Sequence, residues 1–160
     1  MAISWFIWVT ALYLIIGGAL AASSLILAKK PNAKDLFAKI TPYQGTIGGT
    51  MFLWGIFDLV FHFLFQLGDW KFFFAGPIFW KIFAIAIPVA YLLELGIGFL
   101  LGFGMINAFA IKKNPQMAAK AEGVLKKLAP WQGTLGIIGI ITGIYWLLFA
   151  LFLWKIGIGA

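Results

Sequence analysis

The chain contains one short motif twice, each time between a lysine-rich segment and a long apolar run. The first copy is Pro-Tyr-Gln-Gly-Thr-Ile-Gly at residues 42–48, and the second is Pro-Trp-Gln-Gly-Thr-Leu-Gly at residues 130–136, 88 positions later. Because both copies have similar neighbours, the sequence predicts two repeat units, at about residues 1–70 and 77–160, within a single membrane domain. The motif residues are Pro42, Gln44, Gly45, Thr46, Pro130, Gln132, Gly133 and Thr134.

Each copy of the motif is expected to begin a helix. Proline is tolerated in the first helical turn, where its missing N–H costs nothing. In the first copy Thr41 is suited to be the N-cap, and Gln44 three residues later completes the spacing of a capping box. The second copy has Ala129 in place of the threonine, so it lacks that hydroxyl. An alternative interpretation is that Gln44 and Gln132 bind a ligand at the membrane surface.

Four long apolar runs predict a membrane protein. They cover residues 3–28, about 42–67, about 77–111 and about 131–154. Each is long enough to cross a hydrocarbon core of ~30 Å at ~1.5 Å per residue. With 63% hydrophobic and 11% charged residues, a soluble chain of 160 residues could not keep its apolar surface from water. The third run is longer than a membrane needs, and Pro88 is expected to kink it.

The connections inside the two repeat units are expected to be short amphipathic helices on the membrane surface. Apolar residues recur there at the spacing of one helical face, and most lysines lie outside that face. Solvated basic loops are the alternative interpretation. The apolar faces consist of Ala33, Leu36, Phe37 and Ile40 in the first connection and of Met117, Ala121, Val124, Leu125 and Leu128 in the second.

The basic residues are concentrated on one side of the predicted membrane. All twelve are lysine, and nine lie in the two connections, which places both connections in the cytoplasm and both termini outside. We expect an integral protein, most simply of a bacterial inner (plasma) membrane, with anionic lipid as the partner of these lysines. Without arginine there is no bidentate group for bases and phosphates, so no nucleic-acid partner is expected. The lysines expected to face lipid are Lys29, Lys30, Lys112, Lys113, Lys126 and Lys127.

The repeat also predicts how the two halves are related. Two spans per unit return the chain to its starting side, so the units should be parallel and related by a pseudo-twofold axis along the membrane normal. The predicted fold is an all-α polytopic bundle of four transmembrane helices, built as two tandem helix pairs. Three glycine pairs should allow close helix packing, and they exceed what one internal contact needs, which favours a homo-oligomer. These pairs are Gly45 and Gly49, Gly98 and Gly102, and Gly139 and Gly143.

The sequence lacks the motifs of the common enzyme classes. It has no cysteine and one histidine, so it offers no disulfide, no thiolate metal site and no recognisable catalytic triad. We therefore expect a non-enzymatic protein with no cofactor and no metal site. An intramembrane metal-dependent enzyme is the remaining enzymatic alternative.

Four polar side chains inside the second and third apolar runs are Asp58, His62, Gln66 and Glu94. Ionisable groups are costly in a bilayer and by default indicate a functional site. Lys71 lies thirteen residues after Asp58, and Lys81 lies thirteen residues before Glu94. If these lysines mark the outer boundary, the two acids lie at matching depth on antiparallel neighbouring helices.

These polar groups support two interpretations. His62 lies four residues after Asp58 and shares its helix face. Two acids held together in a low dielectric cannot both ionise cheaply, so one should keep a proton that the imidazole could share. This arrangement favours an oligomeric proton- or cation-linked channel or transporter. The alternatives are a polar clasp that only locks the second run against the third, and a structural or accessory subunit that self-assembles and binds anionic lipid without transport.

Overall fold

The computed structural model describes residues 3–64, 74–106 and 115–155, and every element in these ranges is helical. The predicted all-helical class is therefore confirmed. Short 3₁₀ turns precede three of the helices, and a π-helix, Asp58–Leu64, continues the fourth. The α-helices are α1 (Ile3–Ala21), α2 (Ser23–Lys29), α3 (Lys34–Ile40), α4 (Gln44–Phe57), α5 (Ile78–Ile106), α6 (Pro115–Leu128) and α7 (Gln132–Lys155).

Two helical stretches are long and apolar enough to cross a membrane: Trp80–Phe103 within α5, and Glu122–Phe152, which runs from α6 into α7. A third joins them if α1 and α2, bent by 66° at their junction, count as one span. Helices of this kind suggest membrane association. The predicted second run contains the 14-residue α4 and the π-helix after it, and it is not among these candidates within the described residues.

The first apolar run forms two helices, α1 and α2, with a bend between them. The helix breaks at Ala22, whose backbone angles are φ −86° and ψ 6°. The hydrogen bond from the Ala22 N–H to the Gly18 carbonyl, 2.9 Å, is retained across the break. Sharp bends occur where small and hydroxyl residues cluster, and here Gly18 precedes the break while Ser23 and Ser24 follow it.

Both copies of the repeated motif have the same local structure. A 3₁₀ turn over Thr41–Tyr43 leads into α4, which begins at Gln44. A 3₁₀ turn over Ala129–Trp131 leads into α7, which begins at Gln132. In each case the proline lies in the first positions of the turn, where its missing N–H is not needed.

The prediction of a capping box at the first motif is wrong. Tyr43 occupies the residue before α4, and no side chain caps this helix end. The Thr41 hydroxyl instead donates a hydrogen bond of 2.7 Å to the Phe37 carbonyl, four residues back. A threonine hydroxyl at this position can hydrogen-bond either to the helix that follows or to the helix that precedes it, and here it bonds to the preceding helix, α3.

Two helix pairs form the core: α4 packs mainly against α5, and α1 packs mainly against α7. Glycine makes both contacts close. A Cβ atom added to Gly48 would collide with the backbone of Gly102, and one added to Gly136 would lie 2.5 Å from the Gly18 carbonyl oxygen. Large apolar side chains on the outer faces stay exposed, which suits a lipid environment.

The glycine pairs are used differently from the sequence-based expectation. Gly98 and Gly102 both contact α4, and Gly139 and Gly143 both contact α1, so these faces are occupied within one chain. Gly45 has nothing within 4 Å of an added Cβ and takes no part in the packing. The glycine faces therefore give no support for a homo-oligomer, which stays a prediction.

Both connections are helical, with different surroundings for their apolar faces. In the first connection, Phe37 is buried, and Ala33 and Ile40 pack against the core, whereas Leu36 is exposed. In α6, Met117 and Val124 are exposed although they lie on the apolar face. The apolar face of α6 is thus open along much of its length, as an interfacial helix requires.

Candidate functional site

Asp58 is the centre of a buried polar cluster between α1 and the end of α4. Its side chain is 1% exposed. The Thr10 hydroxyl donates to Asp58 Oδ2 over 2.9 Å, and His62 Nδ1 lies 2.9 Å from Asp58 Oδ1. The Trp54 indole N–H donates to Thr10 Oγ1 over 3.2 Å. Both carboxylate oxygens of Asp58 therefore have a partner.

The local sequence explains why Asp58 and His62 meet. Asp58 is the first residue of the π-helix, which widens the helical turn at this point. Such π-segments are rare and are often found at functional sites. His62 follows four residues later, close enough for its ring to return to the carboxylate.

His62 lies at the edge of the cluster. Its side chain is 21% exposed, against 1% for Asp58. The imidazole packs edge-on against Phe6, with ring centroids 4.2 Å apart, and against Phe57, with ring centroids 5.5 Å apart. The aromatic rings pack against the imidazole, which is partly exposed although the carboxylate that it contacts is buried.

Glu94 reaches the same cluster from α5. A Cβ atom added to Gly55 would lie 3.0 Å from the Cβ atom of Glu94, so the glycine allows α5 to approach α4 at this level. The Glu94 side chain is completely buried, and within the described part of the chain neither of its carboxyl oxygens has a hydrogen-bond partner. Asp58 and Thr10 both lie within electrostatic range of it.

Tyr91 completes the surroundings of the two acids. It lies three residues before Glu94 on α5 and is 7% exposed. Its phenol is within electrostatic range of both Asp58 and Glu94. The two carboxyl groups therefore share one low-dielectric site, in which both cannot be ionised without a large cost.

The structure brings together three of the four polar residues singled out from the sequence: Asp58, His62 and Glu94. Gln66, Lys112 and Lys113 lie outside the described residues. Across residues 3–64, 74–106 and 115–155, no three His, Asp or Glu side chains are arranged to hold a metal ion. The other candidates lie at helix starts or are exposed lysines: Pro42, Gln44, Gly45, Thr46, Pro130, Gln132, Gly133, Thr134, Lys29, Lys30, Lys126 and Lys127.

Two members of the cluster were not identified from the sequence. Thr10 lies in the first apolar run, where an isolated hydroxyl residue is common and carries little signal. Trp54 is a tryptophan in an apolar helix, and its indole N–H needs a partner when buried. Only the packing of α1 beside α4 shows that the Trp54 N–H is the donor and the Thr10 hydroxyl is its acceptor.

Comparison with known proteins adds no assignment, because no protein-family model, curated protein or solved structure matches the chain.

Proposed function

We propose that this chain is a proton-linked membrane channel or transporter in which Asp58, His62 and Glu94 form the proton-carrying site. The observation that carries the proposal is the state of Glu94. Its carboxyl group is fully buried and has no hydrogen bond within the described residues, beside an Asp58 that is fully hydrogen-bonded.

The hydrogen bonds suggest how one proton is distributed between the two acids. Asp58 has a hydrogen-bond partner at each carboxylate oxygen, the Thr10 hydroxyl and His62 Nδ1, and with a proton on Nδ1 both are donors, which suits an anion. Glu94 receives none, which suits a neutral carboxylic acid. An anion at Glu94 would lie unsolvated beside another anion, so the pair holds one proton at rest. When that proton moves from one acid to the other, the negative charge moves in the opposite direction between them.

The cluster fits a polar clasp less well. In a clasp every buried polar group should be satisfied, because an unsatisfied one costs about 1–3 kcal/mol. Asp58, Thr10 and Trp54 meet that requirement, and Glu94 does not. A buried acid without a partner is compatible with a role in which it gains and loses a proton.

The four-span tandem arrangement is part of the proposal. It is supported by matching contacts in the two helix pairs. Gly48 meets Gly102 in the α4–α5 pair, and Gly136 meets Gly18 in the α1–α7 pair. Gly136 lies 88 positions after Gly48, and Gly18 lies 84 positions before Gly102, so the two contacts are equivalent in the repeat. One pseudo-twofold axis would relate the two pairs.

In the proposed topology α3 and α6 are cytoplasmic and both termini are outside, as the lysine distribution favours. Single cysteines at Asn32 and Gln116 should then react with an impermeant reagent only in inside-out vesicles. Reaction of either cysteine in intact cells would reverse the topology.

The proton-linked function is tested in liposomes. Wild-type protein should carry protons down an imposed electrical gradient, recorded with an internal pH-sensitive dye. Glu94→Gln and Asp58→Asn keep the shape of each side chain but remove its acid, and each should reduce the flux to that of protein-free liposomes. Glu122→Gln is the matched control, because that glutamate is exposed on α6, away from the cluster. Flux that persists in Glu94→Gln, or no flux in the wild type, contradicts the proposal.

A further inference from the structure

Among the described residues, the Thr10 hydroxyl is hydrogen-bonded to Asp58 and is also a polar neighbour of Glu94. It is 2% exposed and sits on α1, whereas Asp58 closes α4 and Glu94 lies on α5. Oγ1 donates to Asp58 Oδ2 over 2.9 Å, and Glu94 is a second polar neighbour of the hydroxyl. Three helices therefore meet at this hydroxyl.

The hydrogen-bonding capacity of Thr10 is only partly used. A hydroxyl has one proton and two acceptor lone pairs. The proton goes to Asp58, and one lone pair accepts the Trp54 N–H over 3.2 Å. One lone pair remains. Glu94 carries the unpartnered carboxyl beside it, and a protonated carboxyl group needs an acceptor of this kind.

Resting on the proposed proton-linked function, we propose that Thr10 is the relay residue through which a proton passes between Glu94 and Asp58. The Glu94 carboxyl reaches Oγ1 by rotating about its own side-chain bonds. The Glu94 O–H bond then breaks as a new O–H bond forms at Thr10 Oγ1. At the same time the original Thr10 proton leaves Oγ1 and bonds to Asp58 Oδ2. Glu94 ends as the carboxylate and Asp58 as the acid, and Thr10 remains a neutral hydroxyl.

Trp54 and His62 have distinct roles in this relay. The indole N–H has no acceptor capacity, so it occupies one lone pair of Thr10 without competing for the proton. It thereby leaves the hydroxyl proton to Asp58. His62, hydrogen-bonded to the other oxygen of Asp58 and partly exposed, is the group that exchanges the proton with the outside of the cluster.

The relay is tested first by infrared spectroscopy of the purified protein in lipid. The C=O stretching band of protonated Glu94 is identified by its loss in Glu94→Gln. Thr10→Val keeps the shape but removes the hydroxyl, so the band should move to higher frequency because the carboxyl group loses a polar neighbour. Thr10→Ser should leave the band in place. Thr50→Val is the matched control, because the exposed Thr50 hydroxyl donates only to carbonyls of its own helix.

Proton flux in liposomes completes the test. Thr10→Val should lose the flux, while Thr10→Ser and Thr50→Val should retain it. If Thr10→Val does not fold, Thr10→Ala takes its place in the comparison with Thr10→Ser. An unchanged band and flux in Thr10→Val, with flux abolished in Glu94→Gln, would overturn the relay and leave the proposed function intact. Unchanged flux in Glu94→Gln would overturn both.

Discussion

The α4–α5 pair and the α1–α7 pair are packed alike but differ in polarity. In both, a glycine near the start of the motif helix lies against the backbone of its partner: Gly48 against Gly102, and Gly136 against Gly18. About two turns further along, a Cβ atom added to Gly55 would lie 3.0 Å from the Glu94 Cβ atom, and one added to Gly143 would lie 3.0 Å from the Ala11 carbonyl oxygen. At both positions, each helix pair has a glycine that lies close to the partner helix.

The polar residues do not follow this symmetry. With the repeat offsets of 84 and 88 positions, Glu94 corresponds to Thr10 and Asp58 corresponds to Trp146. Trp146 is buried against Phe83, with ring centroids 5.3 Å apart. One helix pair thus has two acids where the other has a hydroxyl and an indole. Since the α1–α7 pair packs closely without any acid, the acids of the α4–α5 pair are not required for close packing.

The largest effect is expected from filling the glycine contacts. Gly48→Ala and Gly136→Ala each place a methyl group against partner backbone, which cannot move aside as a flexible side chain would. Overpacking of this kind costs about 1–3 kcal/mol or more, so both variants should unfold at clearly lower temperature. Thermal unfolding in detergent, followed by circular dichroism, measures the change.

Gly45→Ala is the control for these variants, because an added Cβ there meets nothing within 4 Å. It should unfold at the wild-type temperature or slightly above, since alanine favours a helix over glycine by roughly 0.5–1 kcal/mol. Destabilisation by Gly48→Ala alone, with Gly136→Ala unaffected, would show that the two helix pairs are not equivalent.

The second prediction separates the two acids of the α4–α5 pair by the sign of their effect on stability. Asp58→Ala leaves Thr10 and His62 without their acceptor and should lower the free energy of unfolding by about 1–3 kcal/mol. Glu94→Met removes an unpartnered carboxyl and puts an adaptable apolar chain in its place, so it should raise that free energy by a similar amount.

The same unfolding experiment measures both variants. A gain of stability on losing a functional acid is expected where a site is kept at the expense of stability. Equal losses in Asp58→Ala and Glu94→Met would mean that Glu94 stabilises the fold together with Asp58. The clasp interpretation would then be preferred to the proton-carrying site.

Some of this arrangement could be predicted from the sequence. The i, i+4 spacing placed His62 beside Asp58, and counting residues from the flanking lysines placed Glu94 at the level of Asp58. The repeated motif indicated where α4 and α7 begin. These inferences depend on spacing along one helix or on two helices that follow one another in the chain, which a linear sequence records directly.

The remaining features depend on contacts between distant parts of the chain. The pairing of α1 with α7, and the approach of Thr10 to Asp58 and Trp54, join residues that no periodicity connects. At the break, Ala22 lies against Gly136 of α7, a contact that the sequence does not reveal. Thr41 was predicted to cap α4 because its spacing allowed it, and the preceding helix provided a better acceptor.

The smallest effect is expected at the lysines of α6, a helix that belongs to neither of the two core helix pairs. Lys126 and Lys127 lie in the last turn of this helix and are exposed, beside an open apolar face. A lysine near an anionic bilayer surface contributes about 1 kcal/mol, and salt screens it. Lys126→Gln with Lys127→Gln should therefore weaken binding of the protein to anionic lipid and reduce the salt dependence of that binding. Titration of nanodisc-embedded protein with a labelled anionic lipid measures both the affinity and its salt dependence.

Lys81→Gln is the control on the opposite side of the proposed membrane and should change neither quantity. Lipid binding that stays the same in the double variant would make α6 a solvated connector, and α3 would then be the only interfacial helix candidate.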